Sequence, residues 1–236
     1  MLHTETVETG TLDLIKRLMQ DPLLKEFILV GGTALSLKIG HRKSIDIDLF
    51  TAKPFKVPDA VSHLTELYQA EQIRSAGGVV ICTIDGVKVD LIVHQYKELQ
   101  PPELMEGIRI CSLLDIAAMK LNAIAGNGTR YKDFVDVYFL LDYMPLQKIV
   151  EGYIAKYPNV STGMALSSLL YHKDITKIGG VDFTGKEVNW ERIQERLKEA
   201  VKNDKLTFKQ SQEKKQNTGL LEKKRQQKKP GSGLSR

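Results

Sequence analysis

The sequence lacks the features of several special classes of protein. Its 236 residues contain no stretch of about 18 consecutive apolar residues, which argues against a membrane-spanning helix. Cys82 and Cys111 are the only cysteines, too few for a disulfide scaffold or a zinc ribbon. The segment Met1–Glu5 is polar, so we expect no signal peptide, no membrane partner and a cytoplasmic location.

Excess positive charge is also absent, except in the C-terminal tail. Residues 202–236 contain 11 Lys and Arg against 3 Asp and Glu, a net charge of +8. The rest of the chain therefore carries −3, although the whole chain carries +5. Such a tail suits RNA phosphates, and it equally suits a solubilising segment.

The first half of the chain begins with a strand pattern followed by a helix pattern. The apolar run at 26–30 predicts a short buried strand that ends at two glycines. The next segment, Thr33–Ile39, predicts a helix, which Thr33 is suited to cap and Gly40 to end.

Two further strand patterns follow. Residues 44–50 alternate with period 2, which predicts a strand that carries Ile45 on its buried face. The β-rich runs 79–84 and 87–93 flank Asp85-Gly86, the preferred pair for a type I′ turn. We therefore expect a hairpin here.

The second half of the chain shows mainly helix patterns. Ser112-Leu113-Leu114-Asp115 resembles a capping box and opens an apolar helix. Further helices are predicted at about 131–143, 147–156, 161–171 and 190–202. The change in pattern predicts an α+β protein with an α/β domain at 1–108, a helical domain at 109–206 and a basic tail at 207–236, helical or disordered.

The strongest chemical feature is Asp46-Ile47-Asp48. On a strand, side chains two residues apart project from one face, roughly 6.6–7 Å apart. Two carboxylates at this separation repel each other unless a cation lies between them, and carboxylate oxygens suit Mg²⁺. The alternative is that both side chains simply face water.

A third carboxylate, Asp90, interrupts the apolar run 87–93. A carboxylate is costly there unless it is paired or binds a metal. If this strand lies beside the one that carries Asp46 and Asp48, the three carboxylates converge. That geometry suits two metal ions about 3.5–4 Å apart. The alternative for Asp90 is a charge on an edge strand.

A glycine turn, Val30-Gly31-Gly32-Thr33, joins the first strand to the helix that follows it. Paired glycines let the backbone approach a phosphate, and the N–H groups that open a helix can bind one. A Gly-Gly pair alone is weak evidence, because most such pairs are only turns. Here twelve residues separate Thr33 from Asp46.

These blocks resemble a known family. The segments 30–33 and 44–50 resemble the signature of the DNA-polymerase-β-type nucleotidyltransferase superfamily: a glycine turn, a short helix and Asp-x-Asp. Together with Gly40-His41-Arg42, they are similar to the AbiEii/AbiGii toxin family. Residues 115–121 and 130–140 resemble two later blocks of that family.

The resemblance, which covers about residues 26–143, implies a polymerase-β-like mixed sheet with flanking helices and a helical C-terminal domain. It implies that Asp46, Asp48 and Asp90 bind two Mg²⁺ ions, that an NTP is the substrate, and that Lys120 contacts its phosphates. The other residues it assigns to catalysis or nucleotide binding are Gly31, Gly32, Thr33, Ser44, Arg130, Lys132, Asp133 and Asp136.

Several of these residues have ordinary alternatives. Lys120 lies among apolar helix residues, where its amine needs an anionic partner or extends to the surface. Asp133 and Asp136 share a helix face, and both are also typical of a first helical turn. We expect His41-Arg42-Lys43 to be a solvated loop rather than a site that steers phosphate.

The hypothesis that follows is a metal-dependent nucleotidyltransferase. It would move an NMP from an NTP to an acceptor hydroxyl, with RNA or tRNA favoured, and Asp90 would accept the hydroxyl proton. The resemblance implies a toxin-like component of a bacterial toxin–antitoxin or phage-defence system, with a cognate antitoxin as partner. The alternatives are transfer to a small molecule such as an aminoglycoside or to a protein, and an inactive nucleotide- or RNA-binding module.

Overall fold

A mixed seven-stranded sheet forms the centre of the first 110 residues. The computed structural model describes residues 1–176, 180–185 and 187–208. The strands are β1 (Ile28–Val30), β2 (Ile47–Thr51), β3 (Glu71–Ala76), β4 (Val79–Ile84), β5 (Val87–Val93), β6 (Glu103–Met105) and β7 (Ile108–Ile110). Their spatial order is β3-β4-β5-β2-β1-β7-β6. Strand β2 pairs in parallel with β5 and antiparallel with β1, while β1 pairs in parallel with β7.

Helices flank the sheet and predominate in the described chain after it. They are α1 (Thr9–Gln20), α2 (Gly31–Ile39), α3 (Val57–Tyr68), α4 (Leu113–Gly126), α5 (Tyr131–Leu140), α6 (Leu146–Lys156), α7 (Thr162–Leu170) and α8 (Trp190–Lys202). In the part of the chain that the structure describes, none is both long and apolar enough to cross a membrane. The predicted α+β class, with a mixed sheet followed by helices, is confirmed. The predicted domain boundaries stay a prediction, and residues 209–236 of the tail lie outside the described residues.

The two faces of the central strands differ in chemistry. One face consists of fully buried aliphatic side chains, among them Leu29 of β1, Leu49 of β2 and Leu91 of β5. Helix α2 packs against β1 and β2, and α3 packs against β3 and β4. Because side chains alternate along a strand, the opposite face carries Asp48 and Asp90. The apolar face therefore fixes the strands that present these carboxylates.

The first helix after the glycine turn begins earlier than predicted. Helix α2 starts at Gly31, so the prediction that Thr33 caps it is wrong. Thr33 lies inside the helix, and its hydroxyl donates to the Asp46 carbonyl and lies 3.0 Å from the Ser44 hydroxyl. The prediction that Gly40 ends the helix is confirmed, since Gly40 takes the left-handed conformation with φ +67°.

The strand that follows is shorter than predicted. Strand β2 begins at Ile47 rather than at residue 44, and Ile45 is 59% exposed instead of buried. The preceding segment is held by tertiary contacts, since Ser44 N–H donates to the Thr6 carbonyl. The predicted hairpin turn is confirmed, because Asp85 and Gly86 both have positive φ, +51° and +77°.

Candidate active site

Asp48 and Asp90 lie side by side on one face of the sheet. The parallel register of β2 and β5 pairs their Cα atoms directly, and β1 places Val30 on the other side of Asp48. The predicted adjacency of these two strands is therefore confirmed. Burial raises the pKa of the Asp48 carboxyl, and the neighbouring charge of Asp90 raises it further.

Asp46 lies just outside this pair. It is exposed and directly precedes β2, and its charge adds to the rise in the pKa of Asp48. We call Asp46, Asp48 and Asp90 the acidic cluster. Within the described ranges, no three acidic, histidine or cysteine side chains are arranged to hold a metal ion. The metal-binding role of the whole cluster stays a prediction.

Lys88 is the cation in contact with the acidic cluster. Its Nζ donates to Asp90 Oδ2 at 2.6 Å. Burial works to lower the pKa of Lys88, but the hydrogen bond to Asp90 and the charges of all three aspartates raise it. Sequence reasoning missed Lys88, although it lies two residues before Asp90, where the period of a strand places it on the same face.

Part of the negative charge in the cluster has no protein partner. Asp90 Oδ1 is buried and has no hydrogen-bond partner among residues 1–176, 180–185 and 187–208. A buried carboxylate oxygen of this kind is costly unless a donor or a cation meets it. The free oxygen and the raised pKa of Asp48 fit a cation bound between the two carboxylates, and oxygen ligands suit Mg²⁺.

The glycine turn lies directly against these side chains. Gly31 has φ +73°, and a Cβ there would collide with the carboxylate of Asp48. A Cβ on Gly32 would lie 2.6 Å from Arg42 Nη2 and 3.2 Å from Ser44 Oγ. Gly31 therefore allows close packing against the acidic cluster, and Gly32 allows close packing against Arg42 and Ser44. Their predicted role in phosphate binding stays a prediction.

A second group of charges is buried between α4, which carries Lys120, and α5, which carries Asp133 and Asp136. Lys120 Nζ lies 2.8 Å from Asp133 Oδ1 and 2.7 Å from Asp136 Oδ2. Lys120 is only 6% exposed, so its amine does not extend to the surface. The expectation that it needs anionic partners is confirmed, and both partners come from the shared face of α5. Its positive charge also works to lower the pKa of Asp48.

The predicted solvated loop before β2 belongs to this second group. His41 and Arg42 are 5% and 3% exposed, so the prediction is wrong for both. Arg42 binds Asp136 through two hydrogen bonds, Nε to Oδ1 at 2.7 Å and Nη2 to Oδ2 at 3.0 Å. His41 Nε2 lies 2.9 Å from Asp136 Oδ1. We call His41, Arg42, Lys120, Asp133 and Asp136 the buried network.

The network strongly favours the charged form of Asp136. Burial works to raise the pKa of this carboxyl, but Arg42 and Lys120 hold it well below 3.8. Burial lowers the pKa of His41, despite its contact with Asp136. Asp136 is therefore ionised between two cations, and His41 is neutral near pH 7.

The remaining predicted residues lie at the edge of the network. Arg130 is the residue before α5, with its side chain 67% exposed and its Nε 3.3 Å from Asp133 Oδ2. Lys132 is exposed in the first turn of α5. The structure thus brings Arg130 to the network and leaves Lys132 on the surface.

A distant segment covers the loop before β2. Residues 181–184 run beside residues 40–43, with an antiparallel bridge between Arg42 and Phe183. Lys43 N–H donates to the Asp182 carbonyl at 2.7 Å, and the Thr184 hydroxyl donates to the Gly40 carbonyl. No periodicity in the sequence indicates this contact.

Comparison with known proteins gives the family. A family model described as the nucleotidyl transferase AbiEii toxin of type IV toxin–antitoxin systems matches residues 13–213. The chain belongs to the AbiEii family. It is therefore a nucleotidyltransferase, and its setting is that of a toxin–antitoxin system. An uncharacterised protein of Aquifex aeolicus (strain VF5) is 34% identical to this AbiEii-family chain over 189 residues, which is 76% of the chain and 88% of the relative.

Solved structures give more distant likenesses. A protein from Helicobacter pylori that is described as a nucleotidyltransferase on no stated activity is 18% identical, with a TM-score of 0.42 over 69% of this AbiEii-family chain and 92% of its own. JHP933 from Helicobacter pylori is 15% identical, with a TM-score of 0.44 over 90% and 98% of the two chains. The Megavirus polyadenylate synthase is 17% identical, with a TM-score of 0.40 over 66% and 35%.

Proposed function

We propose that this AbiEii-family protein uses Mg²⁺ to transfer a nucleoside monophosphate from an NTP to an acceptor hydroxyl of RNA, with tRNA favoured. The family supplies nucleotidyl transfer and the toxin–antitoxin setting. We add the metal, the acceptor, the residue roles, a cognate antitoxin as partner and a cytoplasmic site of action.

One observation carries the proposal. Asp48 and Asp90 are paired neighbours on one sheet face, and a buried oxygen of Asp90 lacks a partner in the described chain. Directly beside them, a glycine turn opens helix α2. Excess buried negative charge next to a helix N-terminus suits a cation that accompanies a phosphate group.

The acidic cluster would hold two Mg²⁺ ions through its carboxylate oxygens. When bound, Mg²⁺ offsets the charge on the attacking and leaving oxygens of a phosphoryl displacement. Asp90 would accept the proton of the acceptor hydroxyl, since Lys88 engages only one of its two carboxylate oxygens.

The phosphates would meet the glycine turn and Lys120. The backbone of Gly31-Gly32-Thr33 would donate N–H groups at the start of α2, beside the Ser44 hydroxyl. An ammonium has three hydrogens, and Lys120 donates one to Asp133 and forms an ion pair with Asp136. A phosphate that contacts Lys120 would have to reach a side chain that is only 6% exposed. The two aspartates would then position Lys120.

The choice of RNA as acceptor rests on exposed positive charge. Arg130 and Lys132 present cations at the start of α5, next to the buried network. The sequence of residues 202–236 adds a net charge of +8. Lys and Arg side chains bind nucleic acid mainly through phosphate contacts, and we assign these residues to RNA or nucleotide phosphates.

The test of the mechanism is Asp48→Asn, assayed by transfer of label from each of the four α-labelled NTPs with Mg²⁺ and total RNA. We expect the rate to fall at least about 10²- to 10³-fold, because the site loses a carboxylate that would hold the Mg²⁺ that offsets charge in the transition state. Asp85→Asn removes the same charge in an exposed turn that asparagine also favours, and it should leave the rate unchanged. Full activity of Asp48→Asn would overturn the proposed mechanism.

The acceptor is tested with separate pools of RNA, protein and aminoglycoside. Label in the RNA pool supports the proposal, while label in either of the other pools replaces RNA as the acceptor. Nucleotide binding without Mg²⁺-dependent release of pyrophosphate would indicate a binding module that performs no transfer.

A further inference from the structure

Lys88 occupies a position that the proposed chemistry does not use. Its ammonium donates to Asp90 Oδ2 at 2.6 Å, while its side chain is 48% exposed. Lys88 precedes Asp90 by two residues on β5, so the strand presents both on the same face. This cation therefore lies on the surface of the acidic cluster and can reach solvent.

The charges around Lys88 are unequal. Three aspartates form the acidic cluster, and Lys88 supplies one positive charge in direct contact with it. The nearby Lys120 is held by two carboxylates of the buried network, so its charge is already offset there. Among the described residues, Lys88 is thus the cation in direct contact with the cluster, where it covers one of the two Asp90 oxygens, while Lys120 acts on Asp48 from the buried network.

We propose that Lys88 is a built-in counter-ion of the metal site, which holds Asp90 Oδ2 in the free protein and leaves it when a divalent cation binds. This inference rests on the proposed binding of metal by the acidic cluster. An ammonium and a divalent cation on the same carboxylate repel each other strongly at short range. The flexible, half-exposed stem of Lys88 allows its ammonium to move into water.

The arrangement has a consequence for the order of binding. Because Lys88 competes for Asp90, the site binds a divalent cation weakly in the absence of nucleotide. A triphosphate brings its own negative charge, which shifts the balance toward the metal. The enzyme would therefore take up its metal together with the NTP. In the empty site, Lys88 would reduce the repulsion among the three carboxylates of the acidic cluster.

The experiment is a titration of the full chain with Mn²⁺ in the absence of nucleotide, followed by the electron paramagnetic resonance of free Mn²⁺. Lys88→Met removes the ammonium and Lys88→Arg keeps a cation. Lys53→Met is the matched control, because Lys53 also pairs with a carboxylate, Glu26 at 2.9 Å, outside the site. We expect Lys88→Met to bind Mn²⁺ about tenfold more tightly than the native chain, with both other variants near native affinity.

A second measurement, thermal unfolding, controls for loss of structure in Lys88→Met. With chelator present, the Tm of Lys88→Met should lie below that of the native chain. Added Mn²⁺ should raise the Tm of Lys88→Met by more than it raises the Tm of the native chain. Unchanged Mn²⁺ affinity in Lys88→Met, or equal tightening in Lys53→Met, overturns the role of Lys88 while leaving the metal site in place. Failure of the native chain to bind Mn²⁺, alone and with a non-hydrolysable NTP analogue, overturns the metal site itself.

Discussion

The acidic cluster and the buried network both gather several charges, but they are neutralised to different degrees. In the network, Asp136 is bound by Arg42, His41 and Lys120, and its pKa is well below 3.8. In the cluster, Asp48 has a raised pKa and Asp90 keeps a buried oxygen without a partner in the described residues.

This difference separates two kinds of polar site. A buried charge that is fully paired, such as Asp136, contributes to a fixed geometry, and its removal leaves its partners uncompensated. The contrast is between Asp136 and Asp90, since His41 Nδ1 and Asp133 Oδ2 of the network also lack hydrogen-bond partners in the described residues. A group of like charges with incomplete pairing costs stability in the free protein, and it gains from a ligand of the opposite charge. We therefore assign the network to positioning and the cluster to ligand binding.

The largest effect that would sharpen this contrast is on stability. Asp136→Asn should lower the free energy of unfolding by about 3–5 kcal/mol, because Arg42 and Lys120 would stay buried without their shared carboxylate. Asp48→Asn relieves repulsion from Asp90 and should change it by less than about 1 kcal/mol or increase it. Urea unfolding of both variants measures the difference, and equal losses would remove the distinction between the two sites.

A smaller effect separates backbone strain from damage to the cluster. Gly31→Ala and Gly86→Ala both place a side chain at strongly positive φ, +73° and +77°, which costs about 1–2 kcal/mol. Only Gly31→Ala also brings a Cβ against Asp48, since the space around Gly86 is open among the described atoms. We expect Gly31→Ala to be the less stable variant in urea.

The same pair of variants also differs in activity. Nucleotide transfer should be lost in Gly31→Ala, where the Asp48 carboxylate is displaced, and kept in Gly86→Ala. A Gly31→Ala enzyme with native transfer rates would show that the close packing of the turn against Asp48 has no part in catalysis.

The last effect is the pH dependence of stability, for which the two sites have opposite signs. The pKa of His41 is lowered by burial, so its contribution is complete above pH 6.5 and is lost as the pH falls toward its folded value. The pKa of Asp48 is raised, so its contribution is present below pH 3.8 and is lost as the pH rises.

Thermal unfolding between pH 7 and pH 5 tests the sign of the pH dependence of stability that the network contributes. The native chain should lose up to about 1.4 kcal/mol per pH unit through His41, and His41→Gln should lose less over that range. An identical slope for both chains would show that His41 does not lower stability on acidification.

The sequence was sufficient for the parts of the site that depend on local periodicity. The period of each strand places its aspartate on the face opposite its buried aliphatic residues, while the pairing of β2 with β5 that brings Asp48 beside Asp90 entered only as a condition. The same rule would have found Lys88. The prediction that Ile45 is buried failed because tertiary hydrogen bonds, from Ser44 N–H to the Thr6 carbonyl and from the Thr33 hydroxyl to the Asp46 carbonyl, hold the segment before β2 outside the sheet.

The buried network was beyond such rules for a different reason. Arg42 and Asp136 are 94 residues apart, and a charged triplet such as His41-Arg42-Lys43 has the composition of a solvated loop. Only the packing of α5 against that loop turns two of its residues inward. The contact of residues 181–184 with the same loop is equally non-local.

The parallel pairing of β2 with β5 makes the alignment of two strands a requirement of the chemistry. A single residue inserted into β5 ahead of Asp90 would turn that carboxylate to the face of Val89 and Leu91 and bring an aliphatic side chain beside Asp48. Evolutionary changes of length between β4 and β5 can therefore be absorbed only outside the paired residues, in the turn at Gly86.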